Sequence, residues 1–213
     1  LMLDSTIITD PYIFCLENTL SKYRCKKIID KFEMSADKHH QGCTAGGVNL
    51  DVKNSTDLQI SKHDDWKKED NLFFNIINTS VQKYFEYLNS KSNLQMFTTG
   101  KSFGYNLGTN HVTDTGYQIQ KTIPGKGYIW HNDYEHDSQK SRMLTYILYL
   151  NNVEEGWTQF YNGDQISPRA GRVVIFPATW TYVHQGYPPL QNKYLMTGWI
   201  HANLEPNDKI KTG

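Results

Sequence analysis

His131 and Asp133 stand two positions apart, and His184 follows fifty-three residues after the first of them. Two imidazoles and one carboxylate on a single ion fill part of an octahedron, the facial arrangement in which non-haem Fe(II) keeps positions for a co-substrate and O2. Each piece alone is commonplace, because a His-x-Asp triplet arises by chance and a polar pair at a strand end can be hydrogen-bonded and inert. The residues that follow in order, Lys193 and Thr197 above all, give the three their context.

Positioning such a set makes demands on the chain. Gly127 to His131 reads as a short strand leaving the Pro124-Gly125 turn, so His131 and Asp133 project from one face while Asn132 points away. Gly171 to Pro177 is a strand entered from a glycine and ended by a proline, and Thr181 to His184 reads as a second strand that brings His184 back. Two ligands from one strand end and a third from a remote strand require a sheet closed on itself, a jelly roll. In the strand from Lys193 to Ile200, Lys193, Leu195, Thr197 and Trp199 share a face; in the strand from Arg142 to Asn151, Thr145, Ile147 and Tyr149 do. A buried Lys193 needs an anionic partner, and a ligand carboxylate could supply it; the alternative is a surface lysine at a strand entrance.

With these motifs in order, namely His131-x-Asp133, Glu155 to Phe160, Pro168-x-x-Gly171, Phe176-Pro177, His184-x-Gly186 and Lys193-Tyr194-x-x-Thr197-x-Trp199, the chain resembles the 2-oxoglutarate and Fe(II)-dependent dioxygenases, and within them the prolyl 4-hydroxylase-like group. The match spans Gln118 to Trp199. The resemblance implies a mainly β fold with supporting α-helices, built on a double-stranded β-helix, the cupin-like jelly roll. It implies His131, Asp133 and His184 as iron ligands, and Lys193 as the partner of the far carboxylate of 2-oxoglutarate. Tyr149 and Thr197 are expected to donate hydrogen bonds to that carboxylate, and Trp199 to pack in the barrel core. Many relatives carry a tyrosine just ahead of the Pro-Gly turn; here Lys121-Thr122-Ile123 stand there, so Thr122 is the expected substitute. Where relatives often have two glycines, this chain has Glu155-Gly156-Trp157.

The implied reaction hydroxylates an unactivated C–H at the expense of 2-oxoglutarate and O2, forming succinate and CO2, with ascorbate as an accessory reductant. The implied substrate is a prolyl residue in a peptide or protein. A free amino acid or other small metabolite is the enzymatic alternative, and a non-catalytic jelly-roll module that binds metal or ligand is the alternative of another class. Halogenases of the superfamily lack the carboxylate ligand, so Asp133 argues against that chemistry.

The chain has 213 residues, enough for one core, and is expected to form a single dioxygenase domain with helical support over about 17–91 and the jelly roll over about 97–201. Lys plus Arg and Asp plus Glu number 22 each, a balance that offers neither nucleic acid nor an anionic membrane an electrostatic footprint. Three cysteines without metal or redox spacing point to a reducing compartment, and no signal peptide or membrane span is read, so a cytoplasmic protein is expected.

Before the strands, Tyr12 to Leu16 reads as a strand, and Cys25, Ile28, Ile29 and Phe32 as one stripe of a helix capped at Asn18 or Thr19. Lys38 to Lys62 reads as a loop with a strand at Gly47 to Leu50. Asp64 or Asp65 should cap the longest helix, whose stripe includes Phe73, Ile77, Val81, Tyr84 and Leu88. Gly104 to Gly116 reads as an irregular connector. His39-His40 is expected in a solvated loop and His136 at a rim, since a fourth protein ligand would close a position the chemistry needs. The substrate entrance is expected between the Gly42 to Lys62 loop and the Tyr134 to Arg142 segment.

Overall fold

The computed structural model describes residues 4–44, 46–91, 112–137 and 140–203. Among them two helices and twelve strands alternate in chain order: β1 (Phe14–Leu16), α1 (Lys22–Met34), β2 (His40–Gln41), β3 (Thr56–Gln59), α2 (Lys67–Lys91), β4 (Val112–Asp114), β5 (Gln118–Thr122), β6 (Tyr128–His131), β7 (Lys140–Tyr149), β8 (Thr158–Phe160), β9 (Gln165–Ile166), β10 (Val173–Pro177), β11 (His184–Gly186) and β12 (Lys193–Asn203). A large sheet runs β1-β10-β7-β12-β5-β3-β2, with β4 also on β12, and a small sheet runs β6-β11-β8-β9; every pairing is antiparallel. The chain folds as the jelly roll expected of it.

The two-residue period of a strand sorts the large sheet's side chains into two cores. From β7, β10 and β12, Tyr146, Leu148, Val173, Ile175, Met196 and Ile200 pack with the helices, against Phe32, Trp66, Phe73 and Ile77. The alternate positions, Ile147, Tyr149, Val174, Phe176 and Leu195, meet Phe160 and Ile166 of the small sheet. Burial on both faces explains why these strands read as nearly unbroken apolar runs. Strand β5 is the exception: Ile119 faces the helical core while Gln118, Gln120 and Thr122 face a cavity between the sheets.

Several local expectations are corrected. The cap of α1 is Ser21, whose hydroxyl accepts from Arg24 N at 3.3 Å; Thr19 instead donates to Gly171 O, and Asn18 has a positive φ of 56°. Gly47 to Leu50 is not a strand; the strands of that region are β2 and β3, and β3 pairs along β5 through its backbone despite a polar sequence. His39 is not a solvated loop residue, since its ring stacks on Phe32 with centroids 4.1 Å apart and its Nε2 donates to Phe32 O. Within the expected connector, Val112–Asp114 is a strand on β12; the rest of that connector, through His111, lies outside the described residues. Thr181 to Val183 form a turn and an extended approach, and pairing begins only at His184.

Gly198, in the middle of β12, leaves room for the Tyr146 hydroxyl that donates to Gly116 O; a Cβ there would lie 2.2 Å from Tyr146 Oη and 2.7 Å from Gly116 O. Neither the ring, buried on all sides, nor the backbone can yield cheaply. Gly198→Ala should therefore lower unfolding free energy by about 1–3 kcal/mol in urea titrations, and a change below the error of the titration would show that the strand relaxes freely.

Candidate active site

Strand β11 pairs with β6 so that His184 lies directly opposite His131, while Asp133 follows two residues beyond His131. This register is the device that joins the two halves of the triplet. Each imidazole has its Nδ1 against a backbone carbonyl, His131 on Ile129 O at 2.7 Å and His184 on Tyr182 O at 2.9 Å. A carbonyl only accepts, so both Nδ1 atoms carry the proton and both Nε2 lone pairs are left available for a metal. Those Nε2 atoms point at the same carboxylate, 3.7 Å from Asp133 Oδ1 and 3.6 Å from Oδ2 respectively. The three donor atoms lie within 4.8 Å of one another, a separation one ion can span.

The electrostatics suit a cation. Burial, then the neighbouring His184, pushes His131 down to about 4, so its Nε2 is unprotonated at neutral pH. Asp133 is almost wholly buried, which opposes its ionisation, yet the two imidazoles and a 2.8 Å hydrogen bond donated by Thr145 Oγ1 to Oδ2 outweigh that burial and hold its carboxyl below the usual range. The Trp199 indole N–H also favours the charged form without reaching hydrogen-bond geometry. Tyr128 stacks on the His131 ring with centroids 3.4 Å apart and planes inclined by 13°, fixing its orientation.

The triplet opens into a cavity of about 540 Å3 lined by β5, β6, β7, β8, β11 and β12, by Cys43, Thr44, Gly46, Lys53 and Ser55, and by Tyr134 and Glu135. Lys193 enters its wall from the first position of β12 and is only 3% exposed. Its Nζ donates to Gly156 O at 2.9 Å, and among the described residues no carboxylate pairs with it. Burial alone pushes it down to about 8. An ammonium desolvated without a counter-ion is costly unless a ligand completes the pairing. A cation beside Asp133 and a chelating ligand whose far carboxylate reaches Lys193 would answer both groups, and the residues present fit Fe(II) with 2-oxoglutarate.

Residues 117–201 match the model of the 2OG-Fe(II) oxygenase superfamily. Over that segment the chain is similar to the 2OG-Fe(II) oxygenases. Its fold is shared by a viral collagen prolyl hydroxylase from Paramecium Bursaria Chlorella virus-1 (20% identity, TM-score 0.56, covering 90% of this chain and 96% of that one). A Pseudomonas putida prolyl-4-hydroxylase (14% identity, TM-score 0.58, 88% and 91% covered) is similar as well. So is a Trichoplax adhaerens prolyl hydroxylase in complex with a hypoxia inducible factor peptide fragment (18% identity, TM-score 0.62, 89% and 83% covered). No curated protein matches the chain by sequence.

Lys193, Leu195, Thr197 and Trp199 all face the cavity, as strand alternation requires. Trp199 is therefore not in the barrel core; its ring carries the Arg142 guanidinium 3.8 Å above it. Thr122 lies across from Lys193 in the β5–β12 register. Thr197 also lines the wall, but its hydroxyl proton is committed to Tyr146 O at 2.9 Å. Tyr149 does not reach the cavity: its ring belongs to the core between the sheets and its hydroxyl bonds Thr158 Oγ1 at 2.6 Å. Thr158 is the side chain that faces inward, a residue the sequence reading passed over although strand β8 puts it on the same face as the buried Phe160. His136 is exposed at the rim, and His201, on β12, is buried but lines no part of the cavity. Arg172 is occupied elsewhere, bridging Asp4 and Glu17.

Because Thr145 supplies the only hydroxyl donor on Asp133 among the described residues, Thr145→Val should weaken Mn(II) or Co(II) binding roughly 10- to 100-fold while the circular dichroism spectrum is preserved. His131→Ala, Asp133→Ala and His184→Ala should each remove stoichiometric metal binding. Wild-type affinity in any one of those three would take that residue out of the site.

Proposed function

We propose that this protein is a 2-oxoglutarate-dependent prolyl hydroxylase that acts on a prolyl residue within a peptide or protein. One observation carries the 2-oxoglutarate part: within a single cavity two imidazole Nε2 atoms converge on the Asp133 carboxylate, and the buried Lys193 ammonium bonds a backbone carbonyl and, among the described residues, pairs with no carboxylate. The prolyl part is supported by the likeness to prolyl hydroxylases of known structure, one of them carrying a peptide. It is compatible also with a cavity lined from two separate stretches of chain, by Cys43, Thr44 and Gly46 and by Tyr134 and Glu135, between which an extended peptide would enter.

In this reading His131, Asp133 and His184 hold the metal, and Lys193 receives the far carboxylate of the co-substrate. Fe(II) bound there supplies the redox chemistry that converts 2-oxoglutarate and O2 to succinate and CO2 and places one oxygen atom on a C–H bond, with ascorbate keeping the metal reduced. The protein's own task is placement. Lys193 fixes charge and orientation at one end, and Thr122 and Thr158 offer hydroxyls beside it. Thr197 can donate only after its hydroxyl leaves Tyr146 O, and Tyr149 acts from behind by holding Thr158. Leu195 and Ile147 line the same wall and limit water around the co-substrate. The three free thiols Cys15, Cys25 and Cys43 fit the cytoplasmic setting included in this proposal.

Incubation with Fe(II), ascorbate, 2-oxoglutarate and a library of proline-containing peptides should yield succinate and, in mass spectra, peptides heavier by one oxygen; Asp133→Ala should yield neither. Succinate formation stimulated by an amino acid or metabolite, with no peptide oxidised, would replace the peptide substrate by a small molecule. Lys193→Ala should raise the 2-oxoglutarate requirement roughly 10- to 150-fold, the worth of a charge-assisted hydrogen bond, while metal binding persists; Lys193→Arg should retain part of the affinity.

The displaced lysine also gives a pH dependence whose sign is fixed. Its folded value of about 8 lies below the ordinary 10.5, so between those values the unfolded chain binds more protons and stability rises with pH; the burden is fully present below about pH 8. Affinity for 2-oxoglutarate runs the other way. It should be level below about pH 8 and weaken above it as the free protein loses the ammonium charge, and Lys193→Arg should abolish that dependence. A wild-type affinity independent of pH from 7 to 10 would mean that another cation receives the carboxylate.

A further inference from the structure

Three cations line the cavity wall among the described residues, Lys53, Arg142 and Lys193. Arg142 is paired with Glu135 at the rim, and Lys193 is unpaired. Lys53 is paired from behind. Asp57, 1% exposed and set back from the cavity, accepts from Lys53 Nζ at 2.9 Å, from Ser55 Oγ at 2.7 Å and from Gln118 Nε2 at 2.8 Å. All three donors line the cavity. The cluster is tightly built, for a Cβ on Gly42 would lie 2.3 Å from Ser55 Oγ and 3.1 Å from Asp57 Oδ2. On the metal side, Lys53 Nζ sits 5.7 Å from the Tyr128 ring centre, and Tyr128 in turn stacks on His131.

Without Asp57 this cavity would hold two desolvated ammonium groups, and a dicarboxylate would have two competing anchors. We propose that Asp57 is a specificity-determining positioning residue: it cancels the charge of Lys53 and fixes Lys53, Ser55 and Gln118 as a neutral wall. A dicarboxylate is thereby directed to Lys193 alone. The neutral wall takes an uncharged, hydrogen-bonding stretch of the substrate, such as a peptide carbonyl that accepts from the Lys53 N–H groups left over by Asp57. The inference rests on the 2-oxoglutarate reading of the cavity for its consequence, but its electrostatic core concerns Lys53 and Asp57 only.

Succinate binding to the Mn(II)-loaded protein, followed by calorimetry, tests that core. Asp57→Asn preserves shape and removes the charge, so it should bind succinate at least tenfold more tightly than wild type, with a gain that shrinks in high salt and disappears in the double variant Asp57→Asn, Lys53→Met. In the opposite sense, Lys53→Met leaves a buried carboxylate uncompensated and should weaken 2-oxoglutarate binding several-fold. Succinate affinity in a folded Asp57→Asn protein equal to wild type, or a gain that survives Lys53→Met, overturns the proposal. So does 2-oxoglutarate affinity unchanged by Lys53→Met, should Asp57→Asn fail to fold. The succinate gain does not require Lys193 to anchor 2-oxoglutarate; a wild type that binds no 2-oxoglutarate while Asp57→Asn still gains succinate would fault the cavity reading and leave Asp57 in its assigned role.

Discussion

A charge withdrawn from water must be answered nearby, and the interior of this protein answers nearly all of its own. Arg172 has Asp4 and Glu17, Lys53 has Asp57, and Arg142 has Glu135. In the cavity between the sheets, two groups are treated differently. Among the described residues, Asp133 has two imidazoles beside it and no ion pair to a lysine or arginine, and Lys193 has a backbone carbonyl and no carboxylate partner. A metal held by the triplet and a dicarboxylate reaching Lys193 would answer both. Site and ligand are thus complementary in charge before any detail of shape is considered.

Two sheets are needed because the two unanswered groups come from different layers. His131 and His184 belong to the small sheet, where β6 and β11 place them opposite each other. Lys193 and Thr145 belong to the large sheet, on β12 and β7. The apolar core of Tyr149, Phe160, Val174 and Phe176 holds the layers together at one end, and the polar cavity occupies the other. Among the described residues, no helical side chain lines the cavity. The helices' stripe of Phe32, Phe73 and Ile77 covers the outer face of the large sheet, which lets β7, β10 and β12 be apolar on both sides and hold their register.

What the sequence made legible follows from periodicity. Alternation along Lys193 to Trp199 and Thr145 to Tyr149 identified which side chains share a face, and the spacing of His131, Asp133 and His184 brought the candidate ligands together. Alternation does not tell how deep along a face a side chain sits. Thr145 reaches Asp133, whereas Tyr149, on the same face, ends in the apolar core with its hydroxyl on Thr158. Polar strands were the other blind spot: Thr56–Gln59 carries no apolar alternation because its backbone pairs with β5 while Asp57 spends its side chain on Lys53, Ser55 and Gln118. The Lys53-x-x-x-Asp57 spacing was visible, yet only the tertiary structure buries both residues.

The account turns on the Lys193 ammonium being buried and uncompensated until a dicarboxylate arrives. Its titration can be followed directly by NMR of isotopically labelled lysine side chains in the Zn(II)-loaded protein, with Lys193→Arg to assign the resonance. A midpoint near pH 8 in the free protein, moving upward by at least one pH unit when 2-oxoglutarate is added, is the predicted result. A midpoint at the ordinary lysine value that does not respond to 2-oxoglutarate would contradict it.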